Sequence, residues 1–251
     1  MSEPLGPPLN IDKFLGKAKN RLNLIGVELE GGWYKMPDDL HPLRDGSIHF
    51  GIPGDDVNKV GLIKHIGEIP LPPLGLKEFP KILKLYYPSY VNATCGMHVH
   101  LSTLKAFAYQ RLMINQPFSY PGTIVEYMRR WAKKEDFDKK HPIWPRLEGK
   151  NEYCQHVFQA DEQAKTANKD YDHHRDGHRY TVVSYCWSRY KTLECRLLPM
   201  METASQGVRA VQAIIEITNA FLAASREKES RIRVTVEETD DVFVEERRSF
   251  V

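Results

Sequence analysis

The sequence predicts an α+β fold built on a mainly antiparallel sheet, and three observations carry that prediction. Apolar, β-prone runs recur between turn signals and helical segments without a regular strand–helix–strand beat. Three of these runs hold ionisable residues at i and i+2: Glu28-Leu29-Glu30, His98-Val99-His100 and Glu194-Cys195-Arg196. Successive strand side chains alternate faces, so each pair projects from one side of a sheet while its neighbours face the other. Residues 207–224 place Val208, Val211, Ile214, Ile215, Thr218 and Leu222 on one helical face, the clearest amphipathic stretch of the chain.

Taken in order, Pro4, Pro7 and Pro8 suggest an N-terminal arm over residues 1–20, with a short helix at 11–19. Residues 21–30 read as a strand ended by Gly31-Gly32, where a ligand or a second backbone can approach closely. Residues 36–61 are rich in Pro, Asp and Gly, and Asp45-Gly46-Ser47 is a tight-turn signal. A strand at 60–69 stops at the Pro70, Pro72, Pro73 cluster, and residues 77–87 have helical spacing. Residues 94–102 form a strand, followed by helices near 104–109 and 120–132. The strongly charged stretch 129–176 reads as a surface insertion or lid in a single domain spanning 21–228. Residues 179–187 and 191–198 read as two strands joined by a short turn. The charged tail 229–251 alternates at Ile232, Val234 and Val236 as an edge strand would.

Composition bounds the class. The chain has 251 residues, 41% hydrophobic and 27% charged, which is ordinary for a globular domain with a sizeable core. With 35 Lys and Arg against 33 Asp and Glu, the near balance gives no general reason to invoke nucleic acid or a membrane surface. No apolar run is long enough to span a bilayer, and the N-terminus lacks a signal-peptide core. The four cysteines, Cys95, Cys154, Cys186 and Cys195, sit in apolar contexts without CxxC pairing. They read as reduced, buried thiols of a soluble cytoplasmic protein.

The paired ionisable residues are the candidates for chemistry. Glu28 and Glu30 repel side by side, and a divalent cation relieves that repulsion; the plain alternative is a charged outer strand face. Glu68 is a third candidate ligand. His98 and His100 reach the same side of their strand and could share a metal or a phosphate oxygen, without choosing the metal. Glu194 and Arg196 are either a surface ion pair or a metal carboxylate beside a phosphate-binding guanidinium. Arg179 is a second candidate anion clamp, and Asp45 and Ser47 are candidates for substrate binding. The cluster Asp172, His173, His174, Asp176 and His178 reads as a solvated loop. No GxxxxGK[ST] or GxGxxG sequence occurs, so a bound nucleotide would need another scaffold.

In order, GVELEGG, DGS, GEI before prolines, CGMHVHLS, WPRLxGxxxYC, RYxxV and TLECRL resemble the amidoligase family. These are ATP-dependent carboxylate–amine ligases related to glutamine synthetase and glutamate–cysteine ligase. The resemblance covers residues 24–199. It implies a curved sheet with helices on its convex face and the active site on its concave face. It implies two or more Mg²⁺ ions on Glu28, Glu30, Glu68, His98 and Glu194, and ATP phosphates near Arg179 and Arg196. His100 would contact phosphate or substrate. The substrates would be a small-molecule, peptide or protein carboxylate and amine, and the oligomeric state stays open. Ser184 stands where the family pattern usually shows Asn, which puts that contact in doubt. Two other readings stand beside this one: a zinc hydrolase using the HxH pair, and a non-catalytic binding or assembly protein.

Overall fold

The computed structural model describes residues 3–36, 40–103, 119–158, 180–186 and 192–248. Five antiparallel strands form the main sheet: β2 (Leu22–Trp33), β3 (His65–Pro70), β4 (Gly96–Thr103), β6 (Val183–Cys186) and β7 (Thr192–Pro199), in the order β3-β2-β4-β7-β6. The two-residue strands β1 (Glu3–Pro4) and β5 (Val157–Phe158) pair with each other. The helices are α1 (Val57–Val60), α2 (Phe79–Tyr86), α3 (Tyr120–Lys134), α4 (Ile143–Leu147) and α5 (Ala204–Arg248).

One face of the sheet is apolar and fully buried. Ile25, Val27 and Leu29 of β2, Met97, Val99 and Leu101 of β4, and Leu193, Cys195 and Leu197 of β7 share one core with Ile124 and Met128 of α3 and Ile214, Ile217 and Phe221 of α5. Burying each such side chain contributes about 1.5–3 kcal/mol, so this face holds the sheet against the helices. The Tyr120 and Phe221 rings meet edge to face at 5.3 Å, and the Tyr120 hydroxyl and Thr218 Oγ1 lie 2.7 Å apart. All four cysteines are buried and free.

Helix α5 starts with a capping box: Gln206 N–H donates to Thr203 Oγ1 at 3.2 Å, and Thr203 N–H to Gln206 Oε1 at 3.1 Å. Ser119 caps α3 by accepting from Gly122 N–H at 3.1 Å. Helix α5 continues to Arg248, so the tail expected as an edge strand is helical. After Gly207 the chain has neither Gly nor Pro to stop a helix, and that continuity overrides the short alternation at Ile232, Val234 and Val236.

Four further expectations change. The N-terminal arm is anchored, with Leu9 and Ile11 buried, and only a 3-10 turn at Asp12–Phe14 stands where a helix was expected. Gly31-Gly32 does not end β2, which runs on to Trp33. A second backbone lies against it instead: Gly32 N–H donates to Tyr90 O at 2.9 Å, and a Cβ on Gly31 would fall 2.5 Å from Pro88 Cβ. The expected strand at 60–69 begins only at His65, because Asp56 caps the short helix α1 by accepting from Asn58 and Lys59 N–H. The first part of the expected lid is body rather than insertion, since Ala132, Ile143, Arg146 and Leu147 are buried. Residues 104–109 and 159–176 lie outside the described residues.

Candidate functional site

The other face of the same sheet is charged. Register places Glu28 opposite His98, Glu30 opposite Glu68, and His100 opposite Glu194. On β7, Arg196 and Leu197 together oppose His98 alone, because Met97 pairs with Leu198 while Val99 pairs with Cys195. Alternation puts Arg196 on the charged face with Glu194, and the bulge shifts the phase beyond it, so that Leu197 and Leu198 are both buried.

The side chains converge. Glu28 Oε2 lies 3.0 Å from His98 Nδ1, and Glu28 Oε1 lies 3.1 Å from His100 Nε2. His98 also approaches Glu30 at 3.5 Å and Glu194 at 3.4 Å. Arg196 pairs with Glu194, and Gly96 N–H donates to Glu30. His100 Nδ1 lies 2.9 Å from Thr192 Oγ1. Glu30, His98 and Glu194 are buried to 4% exposure or less, so these charges lie in a low-dielectric setting where repulsion is strong.

Proton affinities divide accordingly. Burial pushes Glu28 upward, yet hydrogen bonds and charge from His100 and His98 hold it well below the ordinary carboxylate value. Burial likewise opposes ionisation of Glu194, and Arg196, His98 and His100 overcome it. Glu30 is raised by its burial. Glu68 is pushed up to about 8 by burial and then by the negative charge of Glu28, Glu30, Asp45 and Glu194. His100 is raised despite burial, through Glu28 and Glu194.

Three combinations of donor atoms lie within 4.8 Å of one another: Glu28, Glu68 and His98; Glu28, His100 and Glu194; and Glu30, Asp45 and Glu68. Carboxylate oxygens dominate each set, the donor chemistry of hard divalent cations such as Mg²⁺. Glu28 has two oxygens and belongs to two sets, so it suits a bridge between paired ions.

Beside the carboxylates lies a cavity of about 300 Å³ whose lining includes Glu30, Asp45, Ser47, His98 and Arg196. Asp45 and Ser47, expected as substrate residues, do reach it. Asp45 Oδ1 also accepts from Ser47 N–H and Oγ, each at 2.7 Å, which builds the turn itself. Arg179 and the 172–178 cluster lie outside the described residues. Ser184 is buried in β6 opposite Glu194.

No protein-family model, curated protein or solved structure matches this chain. The site therefore rests on its own residues. Sequence reasoning gave no role to Thr94, Arg146, Tyr153 or Tyr180, which also line the cavity. Tyr153 and Tyr180 meet edge to face at 5.4 Å, and Arg196 lies over the Tyr180 ring at 5.6 Å. Arg146 had one legible sign, a charge held between Ile143 and Leu147 on a short apolar turn of helix.

Proposed function

We propose that this chain is an ATP- and Mg²⁺-dependent carboxylate–amine ligase with a glutamine synthetase-like site on its charged sheet face. The observation that supports it most is the meeting of Glu28, Glu30, Glu68, His98 and Glu194 on one face with Arg196 and a cavity beside them. A carboxylate resists attack by an amine until one of its oxygens becomes a leaving group. Transfer of the γ-phosphoryl group of ATP to that oxygen gives an acyl phosphate and ADP. The amine then adds to the acyl carbon, the C–O bond to phosphate breaks, and the amine's proton is lost as the amide forms.

The residues fit the demands of those steps. Glu28, Glu30, Glu68, His98 and Glu194 would hold Mg²⁺, which neutralises the polyphosphate. Asp45 joins the donor set with Glu30 and Glu68, a metal role beside the substrate role expected for it. Arg196 is paired with Glu194; a cation on Glu194 would weaken that pairing and free the guanidinium for a phosphoryl oxygen. His100, between Glu28 and Thr192, would face the reacting group or complete the second donor set.

A zinc hydrolase built on the HxH pair is less well supported. Among the described residues no candidate donor set contains both histidines, and every set is mainly carboxylate. The deciding experiment is ADP release from Mg·ATP in the presence of pooled carboxylates and amines, with mass spectrometry of the product. Stimulated ADP formation with an amide product is expected. Absence of both turnover and Mg·ATP binding by calorimetry would favour a non-catalytic role, and tightly held stoichiometric zinc would favour the hydrolase.

A further inference from the structure

Arg146 has only 2% of its surface exposed, and a guanidinium is rarely buried so fully without an ionic partner. Its Nη1 donates to Arg196 O at 2.8 Å. Its Nε is buried with no hydrogen-bond partner, and among the described residues no carboxylate comes within 4 Å of the group. The carboxylate whose charge reaches it is Glu30, which makes no ion pair with it and already accepts from Gly96 N–H beside His98. The unused Nε and Nη2 form one edge of the guanidinium, the two-pronged geometry that grips a carboxylate or phosphoryl group.

The group is also held in place before any ligand arrives. Helix α4 buries Ile143 and Leu147 on either side of Arg146. His156 Nε2 donates to Arg146 O at 2.8 Å, and Arg129 Nη2 to Leu147 O at 2.8 Å, so the backbone carrying the side chain is tied at two points. Burial and the neighbouring Arg196 charge both work against the protonated form, an effect that an arriving anion would reverse.

We infer that the free edge of Arg146 is the oxyanion-binding point of the cavity, taking a carboxylate or phosphoryl group of the ligand in a two-pronged hydrogen bond. The inference deepens the ligase reading and rests on it for the ligand's role: the acyl substrate's carboxylate, or the phosphoryl group passed to it. The binding itself is independent of turnover.

The test is calorimetry with thermal unfolding of the full chain at constant Mg²⁺ and ionic strength, using inorganic phosphate and succinate as probes and chloride as the control. Wild-type protein should bind at least one probe saturably and unfold at a higher temperature with it. Arg146→Met, which keeps bulk without charge, should lose at least ten-fold in affinity, and Arg146→Lys, with charge but no fork, should lose part of it. Response to phosphate alone assigns a phosphoryl group, to succinate alone a carboxylate, and to both a general oxyanion site. The inference fails if neither probe acts beyond chloride, or if the folded variants bind as wild type does; should Arg146→Met not fold, Arg146→Lys decides. ADP release that fails while Arg146-dependent binding persists would count against the ligase reading alone.

Discussion

Strand β4 makes two different surfaces from alternate residues. Met97, Val99 and Leu101 are fully buried in the apolar core, while His98 and His100 face the carboxylates of β2 and β7. The first set stabilises the protein by leaving water, and each member contributes whatever the others do. The second set is costly: burial raises Glu30, and burial with neighbouring negative charge raises Glu68, while the histidines and Arg196 hold Glu28 and Glu194 ionised. A strand that spends one face on stability and the other on unfavourable charge points to a function on the charged face, since polar clusters of this kind are retained against their cost.

Substitutions can break the comparison, starting with the charged face. Glu28→Ala or Glu194→Ala should lower ATP turnover by ~10²–10³-fold or more, the scale of losing one positioned electrostatic stabiliser. Both variants should stay folded but unfold at a lower temperature than wild type in the absence of metal, because each loss leaves buried histidines or Arg196 without a partner; thermal scans alongside ADP assays would check this. On the core face the outcome should reverse. Phe221→Ala should cost about 3–5 kcal/mol in denaturant unfolding while the surviving folded protein keeps its Mg²⁺ affinity.

Smaller effects sharpen it. Without metal, Glu68 keeps its proton up to about 8 in the folded chain but loses it near its ordinary value of 4.5 when unfolded. Between those values the unfolded state binds fewer protons, so stability falls as pH rises. His100, raised in the folded state, acts in the same direction, its contribution being lost as pH rises through its folded value. Unfolding temperature measured from pH 5 to 8 should therefore decline, and Mg²⁺ or Glu68→Gln should flatten the slope. Least of all, Lys13→Ala should change stability by under about 1 kcal/mol, because its pair with Glu227 is exposed.

Much of this contrast was legible in the chain. The i, i+2 spacing of Glu28 and Glu30 and of His98 and His100 fixes which side of a strand they share, and the register then brings them together. Helix α2 and the start of α5 follow from their apolar period. What was hidden depends on contacts distant in sequence. The apolar turn around Arg146 was its one local sign, and packing of α4 against β7 is what buries it. Asp45 read as a turn residue and a candidate for substrate binding, and its place as a donor beside Glu30 and Glu68 comes from a loop bridge of Leu43 to Glu68. The bulge that leaves both Leu197 and Leu198 buried likewise exists only in the paired sheet.

The most direct test of the central claim is a calorimetric titration of chelator-stripped protein with Mg²⁺ near pH 8. The account predicts saturable binding of two or more ions, abolished in Glu28→Ala, whose carboxylate belongs to two of the three donor sets. Absence of binding by the wild-type protein, or equal binding by the variant, would contradict it.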